Sequence, residues 1–189
     1  MPPSLTSGRV MLVASLTTAL AAGGVAAAWV FLGRTGFAFA WVTHFILMAW
    51  VSSVVGPRVR IPDHRWLRVG RWEARLYPAL GVRLFGKLLD LIGWNRVIAR
   101  ARGFSGTREG LKELDQHTRR SEVGHSICLA VATAVACGVL ETGEWRSAAW
   151  LLALGLPLHL YPVLLQRLLR ARIQSMSARV SKEHLASRA

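Results

Sequence analysis

The sequence is short of acid. Ten Asp and Glu stand against 24 Lys and Arg in 189 residues, a net charge of +14 at neutral pH. Charge of either sign is absent from four long stretches. Residues 10–33, 35–57, 123–140 and 147–166 make runs of 24, 23, 18 and 20 positions without one Asp, Glu, Lys or Arg. An α-helix needs roughly 20 apolar residues to cross a bilayer's hydrocarbon. Four helices of a soluble bundle would each show a polar stripe, which these runs lack. The pattern excludes an ordinary soluble enzyme. It also speaks against nucleic acid as a partner, since a basic binder spreads its charges over a mixed sequence. Cysteine is scarce too: Cys128 and Cys137, both in the third run. Two such residues offer neither a disulfide framework nor a zinc site.

What is present, a 52% hydrophobic composition in a chain of one-domain length, predicts an all-α integral membrane protein. Four transmembrane helices are expected at about 10–33, 36–56, 122–140 and 147–166, with a segment 57–121 between the second and third and a basic tail 167–189. A cleaved leader is not expected. Apolarity after Arg9 continues through Trp29-Val30-Phe31-Leu32, beyond a leader's h-region of about 7–15 residues. Residues 58–122 carry 15 basic and 7 acidic side chains, and from Arg167 onward there are six basic residues and one acid, Glu183. The two short connections carry only Arg34, and then Glu141, Glu144 and Arg146. Basic residues stay on the cytoplasmic side during insertion, so both termini and the middle segment are expected there.

In the middle segment, Pro57 and Pro62 predict an irregular course over 58–72, running along the headgroups. Leu80, Leu84, Leu88 and Leu91 then recur at helical spacing, with Arg83, Lys87 and Asp90 on another face. That predicts one amphipathic helix over 76–94, lying in the membrane interface or packed over the bundle's mouth. A polar helix over 105–120 is expected to run unbroken into the third span.

At that junction stands Thr118-Arg-Arg-Ser-Glu-Val-Gly-His125. On a helix, Glu122 and His125 are i,i+3 neighbours, and Arg119 lies one turn before Glu122. A carboxylate beside an imidazole can fix its tautomer and raise its basicity, as a general base requires. Interface anchoring is the bland alternative, but His125 lies about one turn inside the apolar run, where an ionisable residue is costly. No second Glu-x-x-His occurs, so a metal centre is not expected. His44 and His159 are expected to hydrogen-bond neighbouring helices. The fourth run exits into Gln166-Arg-Leu-Leu-Arg-Ala-Arg172, whose arginines can grip a phosphate or anchor the helix in anionic lipid.

These pieces, with Arg60-Ile-Pro-Asp63 and Val82-Arg-Leu-Phe85 followed by Lys87, occur in an order that resembles the glycosyl-4,4'-diaponeurosporenoate acyltransferase family. The likeness covers roughly residues 57 to 173. It implies a multi-pass enzyme of the bacterial cytoplasmic (inner) membrane that works without a cofactor. The enzyme transfers a fatty acyl group to a sugar hydroxyl of a glycosylated carotenoid or similar lipid acceptor. His125 is the expected base and Glu122 its orienting group. Arg119, Arg120, Gln166 and Arg167 are expected to bind the substrates, the donor being acyl-CoA or acyl carrier protein. The rival is a non-enzymatic scaffold whose basic interfacial helix binds anionic lipid or a partner enzyme.

Overall fold

The computed structural model describes residues 7–33, 36–54, 60–98 and 107–186. Outside them lie Arg34, both extreme termini, Pro57 with Arg58, and the expected helix start at Ser105. The described residues form helices and no strand. In chain order these are α1 (Ser7–Leu32), α2 (Phe37–Val54), a 3-10 turn (Arg65–Leu67), α3 (Arg71–Ala79), α4 (Val82–Leu91) and α5 (Trp94–Val97). Then come α6 (Arg108–Glu141), α7 (Trp145–Gly155), a π-helical turn (Leu156–Leu160) and α8 (Tyr161–Ala186). Among the described residues, four stretches are helical, long and apolar enough to cross a membrane: Met11–Leu32, Phe37–Val54, Gly110–Glu141 and Trp145–Ala178. At 34 residues α6 is about 51 Å long, well beyond a hydrocarbon core of about 30 Å. Its first half is accordingly the polar part of its sequence.

The chain divides into two compact units, Met1–Arg58 with Gly124–Leu160, and Val59–Val123 with Tyr161–Ala189. In the first, small side chains let helices approach closely. Ala28, Phe39, Ala40, Ala136, Val139, Ala148 and Leu151 form its larger core, and Leu47, Val51, Cys128 and Ala132 a second. Such contacts replace the hydrophobic effect where the surrounding medium is itself apolar. Ser147 Oγ donates to the Gly33 carbonyl at 2.8 Å, satisfying a helix-end acceptor. Phe37, Trp41, Trp145 and Trp150 are exposed near the ends of α2 and α7, as side chains of a membrane interface are.

In the second unit, the single helix expected over 76–94 is broken into three. Gly81 (φ 78°) and Gly93 (φ 76°) adopt the left-handed conformation and end each piece. In the described part of the irregular course expected over 58–72, residues 60–64 have no regular structure, a 3-10 turn follows at Arg65–Leu67, and α3 begins at Arg71. The inner residues of α4, Val82, Phe85 and Leu89, pack against Leu165 and Leu168 of α8. Its outer Leu84, Leu88 and Leu91 are exposed beside Arg83 and Lys87. One face thus belongs to the fold, while the other is suited to lipid. A Cβ on Gly81 meets nothing within 4 Å, so only its backbone conformation resists substitution. Gly81→Ala is expected to cost about 1–2 kcal/mol, read as a lower unfolding midpoint in detergent.

Candidate functional site

The second unit encloses a network of arginines and carboxylates. Glu122, almost wholly buried, accepts from Arg167 Nη1 at 2.6 Å on one oxygen and from Arg170 Nη1 on the other. Arg167 turns its other edge to Glu73: Nη2 and Nε stand 2.6 and 3.0 Å from Oε2. Its Nε also reaches Tyr77 Oη at 2.8 Å, and its Nη1 the Trp66 carbonyl at 3.1 Å. The Tyr77 hydroxyl in turn donates to Glu73. Arg170, 1% exposed, donates to Thr118 Oγ1 at 3.1 Å and to the Leu67 carbonyl at 2.8 Å. Arg119 bridges Asp115 at 2.7 Å and Asp63 at 3.2 Å, and Arg68 closes on Asp63 at 2.8 Å. Four guanidinium groups thus meet four carboxylates; Arg68 and Asp63 lie at the exposed end, and the pairing makes the buried charges of Glu122 and Arg170 tolerable.

Local structure sets these positions. Glu73 is the third residue of α3, where its Oε1 accepts from the Gly70 N–H at 3.2 Å and caps the helix. Tyr77 follows one turn later. Burial disfavours the charged Glu73, but hydrogen bonds from Tyr77, Arg167 and Gly70 outweigh it and hold the carboxyl below its ordinary value. Burial, together with the bond to Glu73, pushes the Tyr77 phenol up. The Arg68 bond, foremost, holds Asp63 low. Among the described residues of this unit, three buried polar atoms have no hydrogen-bond partner: Arg119 Nε, Gln166 Oε1 and Arg170 Nη2.

The first unit holds a row of three imidazoles, supplied by α2, α6 and the π turn. His44 Nε2 faces the Leu151 carbonyl at 3.0 Å, and His44 Nδ1 faces His159 Nε2 at 2.8 Å. His159 Nδ1 then faces His125 Nδ1 at 3.3 Å. His44 and His159 are fully buried. A π turn widens the helix locally, and turns of this kind recur at functional sites. Pro157 inside it supplies no N–H, so the regular ladder cannot run through. Gly155 leaves room for Leu129, since a Cβ there would stand 3.3 Å from Leu129 Cδ1, whereas 3.9 Å to His44 Cε1 would be ordinary contact. The same unit has an apolar groove of about 510 Å³ lined by Ala22, Val25, Trp29, Leu47, Val131 and Val135, among others. At its edge Trp50 Nε1 donates to Thr18 Oγ1 at 2.9 Å.

Residues 63–179, more than half of the chain, match the CrtO family, described as glycosyl-4,4'-diaponeurosporenoate acyltransferase. The chain belongs to this family. It is a membrane-bound acyltransferase of carotenoid biosynthesis. No curated protein and no solved structure matches it.

The residues singled out from the acyltransferase's sequence fall into different surroundings. Glu122 and His125 share α6, yet their partners differ. Both Glu122 oxygens are taken by arginines, and the contact of the His125 ring nitrogen Nδ1 is His159. The ring expected to be oriented by a carboxylate is therefore held by a second imidazole. Arg119 is bound to two carboxylates, while Arg120 donates to the Gln116 carbonyl at 3.3 Å. Arg167 and Arg170, read as phosphate grips or lipid anchors, are internal ties. Gln166 keeps a spare acceptor. Glu73 and Tyr77 were missed because they stand 94 and 90 residues from Arg167. The scarcity of acids was the signal, since few carboxylates exist to balance arginines next to apolar runs. A group of His, Cys, Asp or Glu able to hold a metal is absent among the described residues.

Proposed function

We propose that this acyltransferase moves a fatty acyl group from a thioester, on coenzyme A or acyl carrier protein, to a sugar hydroxyl of a glycosylated carotenoid. The family match across residues 63–179 carries this reading, since it takes in Glu122, His125, Gln166 and Arg167 together. His125 accepts the proton of the hydroxyl as its oxygen attacks the thioester carbonyl. The tetrahedral adduct collapses with cleavage of the C–S bond, and the imidazolium returns the proton to the departing thiolate. The groove of the first unit has the apolar lining that a polyene needs.

The anionic donor is drawn by the exposed Arg65, Arg71 and Arg75. Arg119 and Arg167, neutralised by carboxylates, hold the segments together instead. The surplus of basic residues in 58–122 and beyond Arg167 supports placing both termini and this surface in the cytoplasm of a bacterium, with the spans in its inner membrane.

Co-expression with a glycosylated carotenoid tests the proposal. The expected outcome is a product heavier by one acyl chain in mass spectra, present with the wild-type chain and missing with His125→Ala. An unshifted carotenoid with the wild-type chain, in cells shown to make both substrates, would reject it and favour the scaffold reading.

A further inference from the structure

We infer that His44 and His159 are positioning residues that fix the His125 tautomer, protonating Nδ1 and leaving Nε2 as the lone pair that takes the substrate's proton. The inference rests on the proposed role of His125 as the base, and it names what sets that role. It begins at the Leu151 carbonyl, which can only accept. His44 Nε2, 3.0 Å away, must therefore carry the hydrogen. An imidazole on an apolar helix is cheapest when neutral, and a neutral ring has one N–H. His44 Nδ1 is then an acceptor, so the bond of 2.8 Å is donated by His159 Nε2. That uses the single hydrogen of His159, whose Nδ1 becomes an acceptor. The contact of 3.3 Å is consequently donated by His125 Nδ1. The Leu151 oxygen thus sets a direction through three rings, with the Leu158 carbonyl a further acceptor beside His125 and His159, and the last ring has Nε2 as its basic nitrogen.

The arrangement does for this histidine what a carboxylate does in a hydrolase triad, without placing a negative charge in the apolar layer. It also accounts for the π turn. The widened helix, with Pro157 in it, carries His159, the ring that bonds to both others.

The test uses the full-length chain in lipid nanodiscs with ¹⁵N-labelled histidine. Long-range proton–nitrogen spectra report which ring nitrogen is protonated, and the His125 signals are those missing from His125→Gln. The expected wild-type result is a protonated Nδ1 and a bare Nε2 on His125, with Nε2 protonated on His44. Rates supply the second arm. In His159→Asn the amide oxygen stands near the position of Nδ1 and can still accept from His125. In His159→Gln the amide reaches toward His44 instead, leaving His125 with only the Leu158 carbonyl. His159→Gln is expected to lower kcat about 100-fold with little change in KM, the scale on which a misoriented base is felt. His159→Asn is expected to recover at least about tenfold of that loss. A His125 protonated on Nε2 in the wild type, with His125→Gln inactive, overturns the inference and leaves the base assignment standing. Full activity in His125→Gln overturns the base assignment itself. Equal losses in the Asn and Gln variants overturn the directional role of His159.

Discussion

His125→Ala is expected to lower acyl transfer by about 10²–10⁴-fold, the range that a positioned general base supplies. The chain should still be recovered in the membrane at wild-type abundance. Insertion depends on the length and apolarity of the third span, and exchanging an imidazole for a methyl group makes that span less polar. The assay is the rate of acyl-ester formation per mole of membrane-extracted protein. Full activity at normal abundance would remove His125 from the chemistry. His125→Gln is the stricter form of the experiment, because it keeps a polar group facing His159 while removing the base.

Glu122→Gln is expected to act mainly on stability. Its carboxylate is the buried meeting point of Arg167 and Arg170, and Arg170 is 1% exposed. Removing the charge leaves two guanidinium groups short of compensation. Breaking one side of a buried ion pair costs about 3–5 kcal/mol, far more than an exposed pair is worth. The expected result is a lower unfolding midpoint in detergent and a smaller yield of extracted protein. Activity per folded molecule should fall much less than in His125→Ala. Unchanged stability with abolished turnover would instead return Glu122 to the reacting groups. The pair of variants therefore separates a residue that holds the protein from one that serves the reaction, although both lie on α6.

The spans were legible from the sequence because bilayer thickness imposes a length, and four charge-free runs meet it. The first two reappear as helices at nearly the expected bounds, while the fourth starts where expected but continues well past residue 166, as Trp145–Ala178. The third proves to be the latter part of α6, as the polar residues before Glu122 implied. The breaks in the middle segment were less legible. Leu80, Leu84, Leu88 and Leu91 keep helical spacing across Gly81, and periodicity cannot say that a glycine will take φ 78°. The histidines show a similar limit. Spacing along one helix suggested Glu122 for His125, whereas the ring's partner comes from 34 residues further on. His44 lies 115 residues from His159, a pairing that no local pattern encodes. Local adjacency paired His125 with Glu122, whereas the fold sets its Nδ1 against His159.

The arginine–carboxylate network also has a history in time. Glu73 and Glu122 leave the ribosome well before Arg167 and Arg170, the guanidinium groups that neutralise them. While the nascent chain is incomplete, Glu73 has only its local partners Gly70 and Tyr77, and Glu122 has neither of its arginines. Emergence of α8 then offers them their counter-ions, and closing the network becomes a late step of assembly. Helix α8 serves as a lock on segments made earlier, so a chain interrupted before it would be left unlatched.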